Sequence, residues 1–217
     1  MDIAKLNDLI ETAKTHVGED WAVFLEFVLD YAPYLGPVIQ RNKLNRANQR
    51  IEKHSDKLRY IQQLSSETRL SAEFIQEKIA PIVFTDFIEE HEDAKINYIL
   101  TGFQNVFLEE KTNESIIYGY FDTLRALRYG DLRRLFYHAG LDVMYPSKEA
   151  LQENEIITYT YGLDIKLRNQ NLINIPVTMG GLEGEEHFDE DRKYHLSSYG
   201  FEFVKFIASK KFIGTEI

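Results

Sequence analysis

The stretch that decides the fold is Tyr194-His-Leu-Ser-Ser-Tyr-Gly-Phe-Glu-Phe203. Its first residues are typical of a short strand, and we expect the apolar Leu196 to enter the core. Ser197 or Ser198 supplies the side-chain oxygen that a helix N-terminus needs. Gly200 has no Cβ, so the first turn of that helix can approach a neighbouring element closely. The stretch therefore predicts a returning strand that leads directly into a final helix.

The residues before this stretch have the hydrophobic spacing of three helices followed by one strand. The predicted helices cover about 115–139, 148–154 and 158–170. The strand covers 172–178, and Pro176 within it argues for a sheet edge. An acidic loop then occupies 179–191.

Helix, helix, helix, strand, long loop, strand, helix is the order of a winged helix-turn-helix domain. Leu167-Arg-Asn-Gln-Asn-Leu-Ile173 resembles the end of the third helix entering the first wing strand, and 194–203 resembles the return from the wing. We predict a winged-helix-like α+β domain over 115–217, with an acidic wing at 179–191. A generic α+β tail with one hairpin is the alternative.

The preceding part of the chain predicts a helical module over 1–111, either a bundle or a hairpin, so the expected fold class is mainly α. A long polar helix over 38–66 carries a seam whose members are spaced alternately by three and four residues. The seam residues are Leu44, Ala47, Ile51, His54, Leu58 and Ile61. The seam indicates one arm of an antiparallel hairpin or an intermolecular coiled coil, which makes these residues candidates for self-association. Further on, Pro81 predicts a kink near Ala80 within a helix over 70–90.

The composition excludes several chemistries. The chain has 217 residues, a formal net charge of −10 and no cysteine. Disulfides, cysteine-ligated zinc and thiolate catalysis are therefore excluded. The sequence has neither the basic start and apolar run of a secretory signal nor about 20 consecutive apolar residues for a membrane span. We expect a cytoplasmic protein without a transmembrane segment.

The charge pattern opposes DNA binding by the wing. Nucleic-acid affinity rests mainly on phosphate neutralisation by lysine and arginine. The predicted wing tip instead carries six acids in nine residues, 183–191. The predicted recognition helix offers only Lys166 and Arg168, against Asp164. A protein-binding role fits this wing better than a DNA-binding one, because fold alone does not fix function.

Two basic groups are candidates for binding a partner or a nucleic acid. The first, here called the basic segment, consists of Arg41, Lys43, Arg46, Arg50, Lys53, Lys57 and Arg59. The second consists of Arg125, Arg128, Arg133 and Arg134, to which Lys166 and Arg168 are added. The basic segment suits an acidic partner, an anionic membrane surface or nucleic acid. Self-complementarity is a further alternative, in which the acidic wing of one subunit meets the basic segment of another and supports a homo-oligomer.

No catalytic motif is recognisable. The sequence has no phosphate-binding glycine loop with a Gly-Lys-Ser/Thr end, no Gly-x-Ser-x-Gly and no His-Glu-x-x-His. The acidic run Glu89-Glu-His-Glu-Asp93 would spread over more than one turn of a helix, so its members could not all face one ion. His138 has no recognisable partner. We therefore expect neither an enzyme nor a cofactor or metal site.

The order of features along the chain resembles one family. A proline- and glycine-interrupted apolar segment, Tyr31-Ala-Pro-Tyr-Leu-Gly-Pro-Val-Ile39, precedes a basic helix containing Arg46-Ala-Asn-Gln-Arg-Ile-Glu-Lys53. A helical pair and a terminal winged helix follow. This order resembles small bacterial and phage-associated proteins of the abortive-infection-alpha type. The resemblance implies a role in phage defence or in a mobile element, and it supplies no catalytic residues.

The leading hypothesis is a non-enzymatic interaction protein that self-associates and binds a protein partner. The first alternative is a DNA-binding winged-helix regulator that uses the basic groups. The second is a membrane-surface effector that acts through Trp21–Ile39, the most apolar segment.

Overall fold

The structure, a computed structural model, describes residues 3–19, 37–141, 153–174 and 193–208. The chain divides into two compact units, residues 1–125 and 126–217. Helices dominate both units, which confirms the mainly α class. Most of the predicted helix over 148–154, residues 175–178 of the predicted strand and the acidic wing at 179–191 lie outside the described residues.

The described part of the first unit is helical. Its helices are α1 Ile3–His16, α2 Pro37–Lys53, α3 Ser55–Glu67, a π-helical turn Phe74–Ile79, α4 Ala80–Glu89, α5 Asp93–Leu108 and α6 Glu114–Ala126. α1 packs against α2, α2 against α4, and both α3 and α4 against α5. The largest fully buried side chains here include the three phenylalanines Phe84, Phe87 and Phe103.

The long helix predicted over 38–66 is two helices. His54 separates α2 from α3, and its φ of −111° departs from the helical value near −63°. The apolar seam is buried within this single chain, at 0–6% exposure for Leu44, Ala47, Ile51, Leu58 and Ile61. His54 is half-buried. The seam side chains are therefore covered by other helices of the same chain and are not offered to a second one.

The distortion predicted at Pro81 takes the form of a π-helical turn. The amide of Ala80 donates to the carbonyl of Ile75, five residues earlier, rather than four. Pro81 then occupies the first turn of α4, where its missing N–H costs no helical hydrogen bond. The proline thus follows the irregular turn instead of breaking a regular helix.

The second unit contains helices and a short hairpin. Its elements are α7 Tyr129–His138, α8 Glu153–Asn169, β1 Ile173–Asn174, β2 His195–Leu196 and α9 Ser198–Ile207. β1 and β2 are antiparallel, with Ile173 opposite Leu196 and Asn174 opposite His195. α7 packs on α8, α8 on β1, and β2 on α9.

The junction between β2 and α9 has most of the features predicted from residues 194–203. The hydroxyl of Ser197 accepts a hydrogen bond from the Gly200 amide at 2.8 Å and so caps α9. A Cβ at position 200 would lie 1.9 Å from the carbonyl oxygen of Leu172, so the close approach requires glycine. Leu196 is half-buried rather than in the core as predicted, and it is the nearby Tyr194 and Ser197 that are buried.

The helix predicted over 115–139 is also interrupted. α6 ends at Ala126 and α7 begins at Tyr129, with Arg128 in an extended conformation between them. The carboxylate of Asp131 accepts the backbone N–H of Arg128 at 2.6 Å, which starts the new helix. The two compact units meet at residues 125–126, at the C-terminal end of α6, and the domain division predicted between 111 and 115 stays a prediction.

Candidate functional site

The basic segment meets an acidic run of the same chain. This acidic run, Glu89–Asp93, joins α4 to α5. Lys43 forms an ion pair with Glu89, and Arg50 forms one with Asp93 at 2.6 Å. The acidic partners of these two basic residues therefore belong to the same molecule. The acidic run forms the connection between two helices and is not itself a continuous helix.

Arg50 is the most deeply engaged member of the basic segment, with 3% exposure. Its guanidinium donates to the carbonyl oxygens of Phe87 at 2.5 Å and Glu90 at 2.6 Å. Two of its nitrogens also donate to one carboxylate oxygen of Asp93. Arg50 thus satisfies carbonyl groups at the C-terminal end of α4, which lack partners within their own helix.

Glu90 and Lys95 form a second ion pair in this connection, at 2.6 Å, and Lys95 is 2% exposed. Glu90 also accepts the backbone N–H groups of His91 and Glu92. Burial alone would raise the pKa of Glu90, but these hydrogen bonds and Lys95 outweigh it and hold the pKa below its usual range. The connection is therefore fixed by internal charges.

Lys57 lies among uncharged acceptors. Its ammonium donates to the backbone carbonyl of Asn97 at 3.0 Å, to the side-chain oxygen of Asn97 at 2.8 Å and to the hydroxyl of Thr101. Burial lowers the pKa of Lys57 to about 8. The three oxygens match the three N–H groups of an ammonium, so this lysine joins α3 to α5.

The other members of the basic segment are less constrained. Arg59 donates to the carbonyl oxygen of His16 at 2.6 Å. Arg46 is half-buried, Lys53 is exposed, and Arg41 belongs to α2 without a described side chain. Together with Lys43, Arg50 and Lys57, these contacts show that much of the basic segment holds the first unit together.

In the second basic group, Arg125 is held within the first unit. It pairs with Asp86 through two nitrogens, at 2.8 and 3.1 Å, and with Asp122 at 2.8 Å. Burial raises the pKa of Asp86, although Arg125 pulls it in the opposite direction. This arginine is half exposed and already has two carboxylate partners.

Arg134 lies in the core of the second unit, in a network that we call the Arg–Asp–His network: Arg134, Asp164 and His138. Arg134 forms a two-pronged ion pair with Asp164, with both distances 2.8 Å. The His138 ring contacts the same carboxylate at 2.7 Å. Burial would raise the pKa of Asp164, but the hydrogen bonds from Arg134 and His138 hold it below the usual range.

The hydrogen bonds of His138 define its protonation. Its Nδ1 accepts the backbone N–H of Tyr194 at 3.2 Å, so Nε2 carries the ring proton and donates to Asp164. Burial, together with the nearby charges of Arg134 and Lys193, lowers the pKa of His138, although Asp164 acts in the opposite direction. Because both ring nitrogens are engaged, this histidine does not have the open nitrogen that a general base needs.

Three further basic residues of the second unit differ in their surroundings. Lys166 pairs with the buried Asp131. Arg133 is half-buried, with its guanidinium 5.8 Å from the ring centroid of Tyr129. Arg128 is exposed. Lys166 and Arg134 therefore pair with carboxylates of the same unit, whereas Arg128 lies at its surface.

α8 is a candidate surface because it exposes two tyrosines and an arginine. Tyr159 and Tyr161 are 46% and 43% exposed, which places them among the most exposed large apolar side chains described. Tyr161 and the exposed Arg168 are seven residues apart and lie on one side of the helix, whereas Tyr159, two residues from Tyr161, lies on the other side of the buried stripe. That stripe consists of Thr160, Leu163, Asp164 and Leu167. α8 thus offers tyrosine and arginine, two residue types enriched at binding hot spots.

Sequence reasoning missed the Arg–Asp–His network. In the sequence, Asp164 stands out only as an acid that opposes DNA binding, and His138 has no recognisable partner. A signal was present, because Asp164 occurs between Leu163 and Leu167 on the apolar stripe of α8. A carboxylate on a buried stripe requires a cationic or hydrogen-bonding partner. Which of the available arginines supplied it could not be read from spacing alone.

The described residues contain no group of three or more histidine or carboxylate side chains that could hold a metal ion. No described helix combines the length and apolar character needed to cross a bilayer. Residues 20–36, on which the membrane-surface alternative mainly rests, lie outside the described ranges. That alternative stays a prediction.

Comparisons of the chain with protein-family models, curated proteins and solved structures found no match.

Proposed function

We propose that this protein is a non-enzymatic interaction protein whose second unit is a winged-helix-like module that binds a protein partner. The observation that carries the proposal is the side of α8 that presents Tyr161 and Arg168, which are seven residues apart and both exposed. In the winged-helix order, α8 is the third helix and precedes the hairpin. Tyrosine side chains on a rigid helix provide large contact area with little loss of conformational entropy.

Charge favours a protein over DNA as the occupant of this face. Arg134 and Lys166 have carboxylate partners inside the unit, which leaves them little capacity to neutralise phosphate. The acidic residues at 183–191 add negative charge to the same unit. A DNA-binding regulator remains the second candidate because Arg128 and Arg168 are exposed.

The test compares a full-length variant with alanine at both Tyr161 and Arg168 against a Tyr60→Ala control. Tyr60 is 43% exposed but lies in the first unit. We expect proteins cross-linked to the wild type in its host to be lost with the double variant and kept with the control. Equal retention by all three proteins would contradict the proposed surface.

A parallel measurement separates the DNA-binding candidate. Fluorescence anisotropy with duplex DNA at about 50 mM salt detects phosphate contacts where they are strongest. We expect no saturable binding. Saturable binding that weakens on replacing Arg128 and Arg168 with alanine would instead establish the second candidate.

Self-association is a separate part of the proposal and must use a surface other than the apolar seam, since the seam is buried. Light scattering across a concentration series tests it, and a strict monomer would remove this part while leaving partner binding intact.

The setting that we propose, phage defence or a mobile element, rests on the family resemblance. Unchanged phage sensitivity after deletion and overexpression of the gene would count against that setting.

A further inference from the structure

The first unit contains a cavity of about 180 Å³ between α3, the π-helical turn, α4 and α5. Its inner wall is formed by Phe84, Phe103 and Phe107, each at most 4% exposed. The Phe84 and Phe103 rings meet edge to face at 6.2 Å, and the Phe103 and Phe107 ring centroids are 5.0 Å apart. Ile61 and Ile75 complete an apolar interior.

The size of the cavity limits its occupant. Protein interiors are close-packed and leave few voids larger than a water molecule. An apolar cavity of about 150 Å³ is large enough to hold benzene. A cavity of about 180 Å³ therefore accommodates one aromatic ring with a small substituent, or two fused rings.

The lining also limits the charge of the occupant. None of the residues that line the cavity is ionisable, so a charged ligand would lose hydration without gaining a counter-charge. The polar members are the amides of Gln62 and Gln76 and the hydroxyls of Ser65 and Thr68. Gln76 and Ser65 are exposed, which places polar groups towards the mouth. The interior thus suits a ring, and the mouth suits one hydrogen-bonding group.

The π-helical turn shapes one wall. Ile75 and Gln76 belong to the turn, and Ala80 follows it directly; all three line the cavity. π-helical turns are rare and frequently occur at functional sites. Here the turn carries both an apolar wall residue and a polar rim residue, and the small Ala80 side chain leaves the space beside them open.

We propose that this cavity binds an uncharged aromatic molecule of one ring or two fused rings that bears a single hydrogen-bonding group, the class of phenol and indole. The site lies wholly within the first unit and is independent of the partner-binding surface proposed for α8. It adds a small-molecule ligand to a protein proposed to bind a macromolecule.

The experiment titrates full-length protein with phenol, indole and 5-fluoroindole and follows binding by calorimetry and fluorine NMR. We expect saturable binding with one ligand per chain. Benzoate and indole-3-acetate serve as charged counterparts and should bind at least about tenfold more weakly, because the cavity has no cationic group. Comparable affinity for charged and neutral probes would overturn the proposal.

Variants connect binding to the cavity. Ala80→Leu fills the interior, and Ala72→Trp obstructs the mouth at an exposed position. Each should weaken indole binding by at least about tenfold, since a filled pocket cannot hold the ring. Ala94→Leu, an exposed position on α5 outside the cavity lining, is the matched control and should bind as the wild type does.

Ala72→Trp keeps the test decisive if Ala80→Leu does not fold. Unchanged indole affinity in the folded Ala72→Trp variant would contradict the proposed site. So would the absence of saturable binding of every neutral probe up to about 10 mM, a concentration well above the dissociation constant of a weak specific complex.

Discussion

Arg50 shows how one side chain can serve two parts of a chain. It is located on α2, yet its hydrogen bonds go to the backbone of Phe87 and Glu90 and to Asp93, 37 to 43 residues later. A basic residue in a run of basic residues gives no sign of such partners in the sequence. The positive charge of the basic segment was therefore predictable from the sequence. The hydrogen bonds that Arg50 forms within the chain were not, because its partners are distant in sequence.

Replacing Arg50 with methionine should destabilise the protein by about 2–4 kcal/mol, because it leaves carbonyl groups at the end of α4 unpaired. Urea unfolding measures this change in the free energy of unfolding. Lys53→Met removes the same charge from an exposed position of α2 and should change stability by no more than about 0.5 kcal/mol. Equal losses in the two variants would show that charge, rather than the hydrogen bonds of Arg50, is responsible.

His138 should make the stability of the protein depend on pH in the mildly acidic range. Its pKa in the folded protein is lowered from 6.5 by burial, so below pH 6.5 the unfolded chain binds a proton that the folded chain does not. Proton uptake then favours unfolding, and the free energy of unfolding should fall as the pH decreases from 6.5. Urea unfolding between pH 7.5 and about 5.5 follows this window.

His138→Gln should reduce that pH dependence, because glutamine does not titrate. The matched control is His195→Gln, which replaces an exposed histidine in the same unit and should keep the wild-type dependence. A wild-type slope in His138→Gln would assign the pH dependence to other groups.

At the scale of elements, hydrophobic periodicity predicted most of the described helices, and the stretch 194–203 predicted the final strand and helix. The interruption between α6 and α7 was missed because Gly130 lies within the first turn of α7 and the extended residue at the break is an arginine. The carboxylate of Asp131 accepts the N–H of Arg128 and caps the start of α7. Arginine is not among the residues preferred at a helix N-cap, so the cap could not be recognised from the sequence.

The approach of α9 to the backbone of Leu172 should make Gly200 irreplaceable. Gly200→Ala places a Cβ 1.9 Å from the Leu172 carbonyl oxygen, an overlap that requires a backbone shift. We expect a loss of at least about 3 kcal/mol in urea unfolding, since backbone clashes belong to the most damaging class of substitution.

Gly162→Ala is the control for that prediction. Gly162 lies within α8 and has open space where a Cβ would be placed. Alanine there should stabilise the protein by about 0.5–1 kcal/mol through helix propensity. A wild-type stability for Gly200→Ala would mean that α9 can move away from Leu172 at little cost.

At the scale of the whole molecule, acidic residues outnumber basic ones. The chain has 35 acidic and 25 basic residues, and several of the bases are paired internally. The remaining charge is predominantly negative. Buried pairs are screened little by salt, whereas repulsion among exposed charges is screened within a Debye length of about 10 Å at 0.1 M.

Added sodium chloride should therefore stabilise the protein. Raising the concentration from about 0.02 to 0.5 M screens the self-repulsion of a chain with a net charge of −10 and leaves the buried pairs largely intact. The thermal unfolding midpoint should rise accordingly. A falling midpoint would indicate that exposed ion pairs contribute more to stability than repulsion removes.

The contacts of Arg50 also bear on the order in which the chain is made. The ribosome releases Arg50 before the residues to which it will bind, and Asp93 follows 43 residues later. At about 5–20 residues per second, translation leaves an interval of about 2–9 s between them. During that interval the guanidinium of Arg50 is bound only by water, and the part of α2 that α4 will cover is exposed. The nascent first unit is therefore a substrate for chaperones until α4 and the start of α5 emerge.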